Sequence, residues 1–95
     1  MADLFWKRQV ADDKFEIGLT DDAFDLFGQI WSIIPTNERK RNFKEGDPIV
    51  AIEGSDGLSS LNMEFNVNKI NFNSEALERP DELTETTPLL WAEAA

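Results

Sequence analysis

The chain has 95 residues, and with seven Phe and three Trp in a 41% hydrophobic composition it can fill one small core, so a single domain over 1–95 is expected. Its formal net charge is −10, which disfavours nucleic acid and anionic membrane as partners and admits basic protein surfaces. There is no Cys and no His, which excludes disulfides, zinc–thiolate sites, redox dithiols and histidine-dependent catalysis.

Met1-Ala2-Asp3-Leu4-Phe5-Trp6-Lys7-Arg8 carries early acid and no long apolar run, so neither a signal peptide nor a membrane span is expected, and a cytoplasmic location is the default. Phe5 to Val10 can form a strand. Asp12-Asp13 signals a turn, and Phe15, Ile17 and Leu19 then alternate on one face, which completes an N-terminal hairpin. Thr20-Asp21-Asp22 offers oxygen acceptors and negative charge to a helix start, and Gly28 suits its end. Ile30-Trp31-Ser32-Ile33-Ile34 is a β-rich run stopped by Pro35. Thr36 to Asn42 is a polar loop with the basic cluster Arg39-Lys40-Arg41, and Glu45-Gly46-Asp47-Pro48 is a turn.

Pro48-Ile49-Val50-Ala51 leads into Ile52-Glu53-Gly54-Ser55-Asp56-Gly57, and Leu58-Ser59-Ser60-Leu61 follows. That order reads as strand, tight turn and strand. Leu58, Leu61, Met63, Phe65 and Val67 mark one long strand or two short ones, continued by Ile70 and Phe72. Asn73-Ser74-Glu75 can open a short helix, Pro80 to Leu83 turns, and Leu89-Leu90-Trp91 can close the fold ahead of a frayed Ala92–Ala95. Short strands with regular turns and one or two short helices indicate a mostly β barrel or sandwich. Phe24, Phe27, Trp31, Phe65, Phe72 and Trp91 are expected to fill its core.

The spacing resembles the glycine cleavage system H protein family along nearly the whole chain. Trp6 falls on a first-strand Trp, and Ile17-Gly18-Leu19-Thr20-Asp21 on the family's Val-Gly-Ile-Thr-Asp. Ala23, Gly28, Ile30, Gly46, Asn73, Pro80 and Trp91 meet the same or equivalent residues, and Glu53 meets the Glu of the Glu-Ser-x-Lys-Ala lipoylation motif. The resemblance implies a barrel-sandwich hybrid of the biotinyl/lipoyl-carrier type. It also implies a hairpin tip at Glu53, Gly54, Ser55, Asp56 and Gly57. The family's lipoyl arm shuttles an aminomethyl group between decarboxylase, aminomethyltransferase and dihydrolipoyl dehydrogenase.

Asp56 stands at the position of the lipoyl lysine, and a carboxylate offers no amine for the amide. Gly54 and Gly57 replace Ser and Ala, Glu64 a Pro, and Val67 a Gly. The family's C-terminal helix has no counterpart after Trp91, which would leave apolar surface for a partner or a homodimer. The function expected is therefore a non-lipoylated binding or scaffold module, not an enzyme and without a cofactor. Its partners would be proteins, lipoate-handling or glycine cleavage proteins among them. The alternative is a working carrier modified at another lysine (Lys7, Lys14, Lys40, Lys44 or Lys69), with Lys40 the best placed. A fold relic with an unrelated partner is a third reading.

Gly and Asp also suit an ordinary tight turn, so the tip has a purely structural reading; a modified Asp56 is the other extreme. Arg39, Lys40, Arg41, Phe5 and Trp6 are the candidate partner contacts. The acidic clusters Asp12-Asp13, Asp21-Asp22 and Asp25 match no calcium loop and read as turn and cap residues; no metal is expected.

Overall fold

A computed structural model describes residues 3–95. Strands β1 (Phe5–Ala11) and β2 (Lys14–Leu19) form the expected hairpin, with Phe5 opposite Leu19 and Asp12-Asp13 in the turn. Helix α1 (Asp21–Phe27) starts where the Thr20 hydroxyl accepts the Ala23 N–H at 3.4 Å, with Asp21 and Asp22 in its first turn. It stops at Gly28, whose φ of +69° continues no helix. Strands β3 (Ile30–Pro35), β4 (Pro48–Gly54), β5 (Gly57–Asn62) and β6 (Val67–Phe72) follow. Helix α2 (Ser74–Glu78) is capped by Asn73, a 3-10 turn spans Pro80–Glu82, and β7 (Pro88–Ala94) closes the chain.

The strands make two antiparallel sheets, ordered β1-β2-β7-β6 and β3-β4-β5. Among the described residues no strand belongs to both, so no closed barrel forms. One buried cluster joins them: Phe5, Ile17, Leu19, Ile70 and Leu90 from the first sheet meet Ile30, Ile33, Val50, Ile52 and Leu61 from the second. Phe27 of α1, Ala76 of α2, and Phe43 and Met63 from connecting segments fill the remaining space. The fold is thus mostly β with two short helices. No helix is long and apolar enough to cross a membrane.

Glu64 holds the start of β1 in place. Its two carboxylate oxygens accept the Leu4 and Phe5 N–H groups at 3.0 and 3.1 Å, while the Leu4 carbonyl accepts the Thr20 N–H at 3.0 Å. A hydrogen bond contributes about 0.5–1.5 kcal/mol net, and this bidentate clasp makes two of them, so it fixes the first strand against the core.

Several aromatic side chains lie elsewhere than expected. Trp31 is 57% and Trp91 40% exposed, so neither is a core residue. The register shifts between Ile30 and Ser32, leaving Trp31 as the extra residue of a bulge. Phe24, Phe65 and Phe72 pack against the core only partly buried. Residues Ala92–Ala94 are not frayed: they extend β7, where the Asp13 carbonyl accepts the Ala94 N–H at 2.8 Å.

Trp91 belongs instead to a row across the outer face of the four-stranded sheet. Arg8, Glu16, Trp91 and Asn71 are successive cross-strand neighbours. The Arg8 guanidinium donates to Glu16 and lies 5.6 Å from the Trp6 ring, and Trp91 Nε1–H donates to the other Glu16 oxygen at 3.2 Å. The Arg8 hydrogen bond, aided by that from Trp91, holds the Glu16 carboxyl below its ordinary pKa. Its folded value is thus below its unfolded one. The stabilisation is complete above the unfolded carboxylate pKa and is lost as the pH falls through the folded value. Glu16→Gln should lower stability at neutral pH by at most about 1 kcal/mol, since Arg8 is exposed and screened. It should also shrink the loss of melting temperature on acidification below about pH 5. Thermal melts of both proteins across that range check the sign.

Candidate functional site

The β4–β5 hairpin is the one feature that both the strand pattern and the family resemblance single out. Gly54 pairs with Gly57, so the loop is the two residues Ser55 and Asp56. None of the four has a left-handed φ; the glycines serve close approach, not unusual torsions. An added Cβ on Gly54 would sit 2.2 Å from the Phe27 carbonyl oxygen, whereas one on Gly57 would meet nothing within 4 Å.

The reason is a corner. The segment between α1 and β3 lies directly against the hairpin tip and is bonded to it three times. The Phe27 carbonyl accepts the Asp56 N–H at 2.9 Å, and the Gln29 carbonyl accepts the Ser55 N–H at 2.8 Å. In return the Ser55 hydroxyl accepts the Gln29 N–H at 2.9 Å. Gly28 sits beneath: a Cβ there would be 2.3 Å from Ser55 Oγ and 2.7 Å from Asp56 Oδ2. The Asp56 carboxylate therefore leans over Gly28. Ser55, Asp56, Gly57 and Glu53 are exposed and Gly54 is buried. The apex is a solvent-facing carboxylate on a rigid mount.

The remaining candidate residues do not join the tip in one site. Arg39 and Arg41 are exposed in the loop after β3, and Arg41 folds back to donate to the Glu38 and Lys40 carbonyls. Lys40 is not a free docking cation: its ammonium donates to Asp47 Oδ2 at 2.9 Å and lies 5.1 Å from the Phe43 ring. The same carboxylate accepts the Lys44 N–H at 2.9 Å, and these two bonds, the backbone one foremost, hold the Asp47 carboxyl below its ordinary pKa. Phe5 is 2% exposed and is core, not an interaction patch. Trp6 is half-buried against Gly18, with its buried Nε1–H without a partner. Phe5 is buried because the core reaches the very start of β1, whereas Trp6, one residue on, lies on the outer face beside Arg8.

Among the five lysines none occupies a hairpin apex. The Lys7 ammonium lies over Phe15 and Phe65 at 4.9 and 4.8 Å, Lys14 opens β2 one residue past its turn, and Lys44 is in the exposed segment before β4. Lys69 stands at a bulge in β6 with φ +49° and pairs with Glu93 at 3.4 Å. A shallow groove of about 390 Å³ opens between Phe15, Lys69, Trp91 and Glu93. Its polar lining is Lys14, Lys69, Asn71 and Glu93, and two of these, Lys69 and Glu93, are paired with each other. No three His, Cys, Asp or Glu side chains converge as metal ligands among the described residues.

Sequence reading missed the partner of the tip, Phe27 to Gln29. The two glycines that admit the contact, Gly28 and Gly54, lie in segments far apart in sequence, and nothing local ties them together. It also missed the exposed apolar residues Trp31, Ile34 and Leu58 on the three-stranded sheet.

Compared with known proteins, the chain matches no protein-family model and no curated protein sequence.

The corner predicts a contrast between two neighbouring glycines. Gly54→Ser places Cβ against backbone that cannot yield, and should cost roughly 1–3 kcal/mol. That corresponds to a fall in melting temperature of about 4 °C or more for a domain this size. Gly57→Ser should stay within about 0.5 kcal/mol of the parent. Parallel thermal melts decide, and equal effects at the two positions would refute the corner.

Proposed function

We propose that the chain is an H-protein-like, non-lipoylated binding or scaffold module on a barrel-sandwich hybrid of the biotinyl/lipoyl-carrier kind. The carrying observation is the tip itself: a two-residue hairpin apex, exposed and clamped from behind, with Asp56 where the family motif places its lysine. Amide formation needs a nucleophilic nitrogen, and a carboxylate at the apex supplies none. The clamp would keep the tip's shape without the cofactor. Proteins that handle lipoyl carriers are the class of partner that such a tip would suit. In this reading the module occupies a docking surface and passes no group onward.

A second reading, a carrier modified at another position, has Lys69 as its best-placed amine. Its side chain is 71% exposed, and its left-handed φ at a bulge sets it off from the regular strand.

Co-expression with a lipoate ligase and intact-mass measurement separate the two. The native chain should stay unmodified, and Asp56→Lys should gain one lipoyl increment. An increment on the native chain would favour the carrier reading, with Lys69→Arg identifying the position. A folded Asp56→Lys protein that the ligase ignores would show that the tip does not have lipoyl-hairpin geometry.

A further inference from the structure

We propose that strand β5 is a self-association edge: it pairs antiparallel with β5 of a second copy of this chain, joining the two three-stranded sheets into one. The two sheets have four edge strands, β1, β6, β3 and β5. Three are blocked by the devices that prevent edge-to-edge pairing. β1 carries Lys7 and Arg8 and a register shift between Gln9 and Ala11. β6 is broken by the bulge at Lys69, and its flank is occupied by Phe43 and by the Arg41 carbonyl, which accepts the Ile70 N–H at 3.2 Å. β3 bulges at Trp31, ends in Pro35, and has α2 and the 3-10 turn packed against it. β5, Gly57-Leu58-Ser59-Ser60-Leu61-Asn62, has no charge, no Pro and no bulge within its run from Gly57 to Leu61.

The register fixes which backbone groups are free. Gly54 and Gly57 close the two-residue turn, so they exchange hydrogen bonds, and Ile52 with Ser59 do so next. The N–H and C=O groups of Leu58 and Ser60 must then point away from β4. No backbone hydrogen bond outside the β4 ladder uses them. They form a short, regular row of outward donors and acceptors, of which only the Ser60 carbonyl has a partner, the Ser59 hydroxyl at 3.3 Å, beside Leu58, which at 68% is the most exposed of the large apolar residues described.

A second copy fits this row for three reasons. A two-fold axis at Ser59 sets Leu58 of each chain opposite Ser60 of the other, so both chains' free N–H and C=O groups are satisfied reciprocally. The two Leu58 side chains then lie diagonally across the axis on the outer face, within reach of each other. Charge does not oppose the register: Asp56 of one chain meets the neutral Asn62 of the other. The remaining negative charge acts at longer range. A single strand pair is a small interface, so the dimer is weak and dependent on concentration. Added salt strengthens it by screening two chains of net charge −10.

Sedimentation of the native chain over a range of concentrations and salt is the first test, and a dimer that grows with both is expected. Ser59 pairs with itself at the axis in a non-hydrogen-bonded position, where Cα atoms approach to about 4.5 Å, a separation a disulfide can span. The native chain has no Cys. Ser59→Cys should therefore give covalent dimer under mild oxidation, and Glu85→Cys, in an exposed loop, should not. Ser60→Pro removes an N–H that β4 does not use, so it should abolish the dimer while the far-UV spectrum stays native. A native chain that remains monomeric at every concentration and salt, or equal crosslinking of the two Cys variants, overturns the proposal. A dimer undiminished in folded Ser60→Pro overturns it as well.

Discussion

The contact between the Phe27–Gln29 segment and the tip of the β4–β5 hairpin governs how this fold presents itself. Two glycines allow the backbones to touch, and three hydrogen bonds hold them there. Each such bond contributes about 1 kcal/mol net, comparable to a sizeable fraction of the few kcal/mol by which a small domain is stable. The contact also sets the end of α1, the start of β3 and the direction of the apex. A hairpin alone is marginal in water, and its turn would sample many shapes. Here the turn is one side of a closed corner, so the exposed Asp56 is carried by the rigid part of the molecule.

The two sheets divide the work. The four-stranded sheet spends its outer face on Trp6, Arg8, Glu16 and Trp91, where Arg8 and Trp91 both donate to Glu16 and the Arg8 guanidinium lies by the Trp6 ring. The three-stranded sheet leaves Ile34 and Leu58 bare, with Ala51 between their strands on the same face and Glu53 the charged residue among them. Isolated surface apolar residues are ordinary. Two on one face of a small sheet, one of them on its unguarded edge, are less so. β5 itself carries no charge; the carboxylates nearest to it are Glu53, the cross-strand partner of Leu58, and Asp56 in the turn before it.

Much of this architecture is legible in the sequence because period-two patterns and turn residues lie in short, separate runs. Both hairpins, the Thr20 and Asn73 caps, the Gly28 stop and the strand ending at Pro35 follow from local chemistry alone. What was illegible is what bulges and long-range contacts decide. The β3 bulge removes Trp31 from the face its position suggests, and Leu89 and Leu90 are both buried where β7 loses regular register against β2. Trp91 is thereby turned outward. Glu64 reads as a surface residue, and only the fold brings two N–H groups from residues 59 and 60 positions earlier onto its oxygens. At the candidate site the apex residue was plain from sequence. Its support was not, since the corner depends on Gly28 and Gly54 approaching across 26 residues, and a single chain gives no hint of that pairing.

Conformational economy explains why the tip and the edge belong together. A two-residue turn that forces its flanking pair to exchange hydrogen bonds also fixes, residue by residue, which side of β5 is left open. The clamp therefore does more than hold the apex: it freezes the register of the neighbouring strand and keeps Leu58 and Ser60 pointing outward. An edge whose register could slip would offer a partner a mixture of faces and bind none well. A clamped one offers a single face at little further loss of chain entropy, and preorganisation of that kind is what allows a short strand to associate at all.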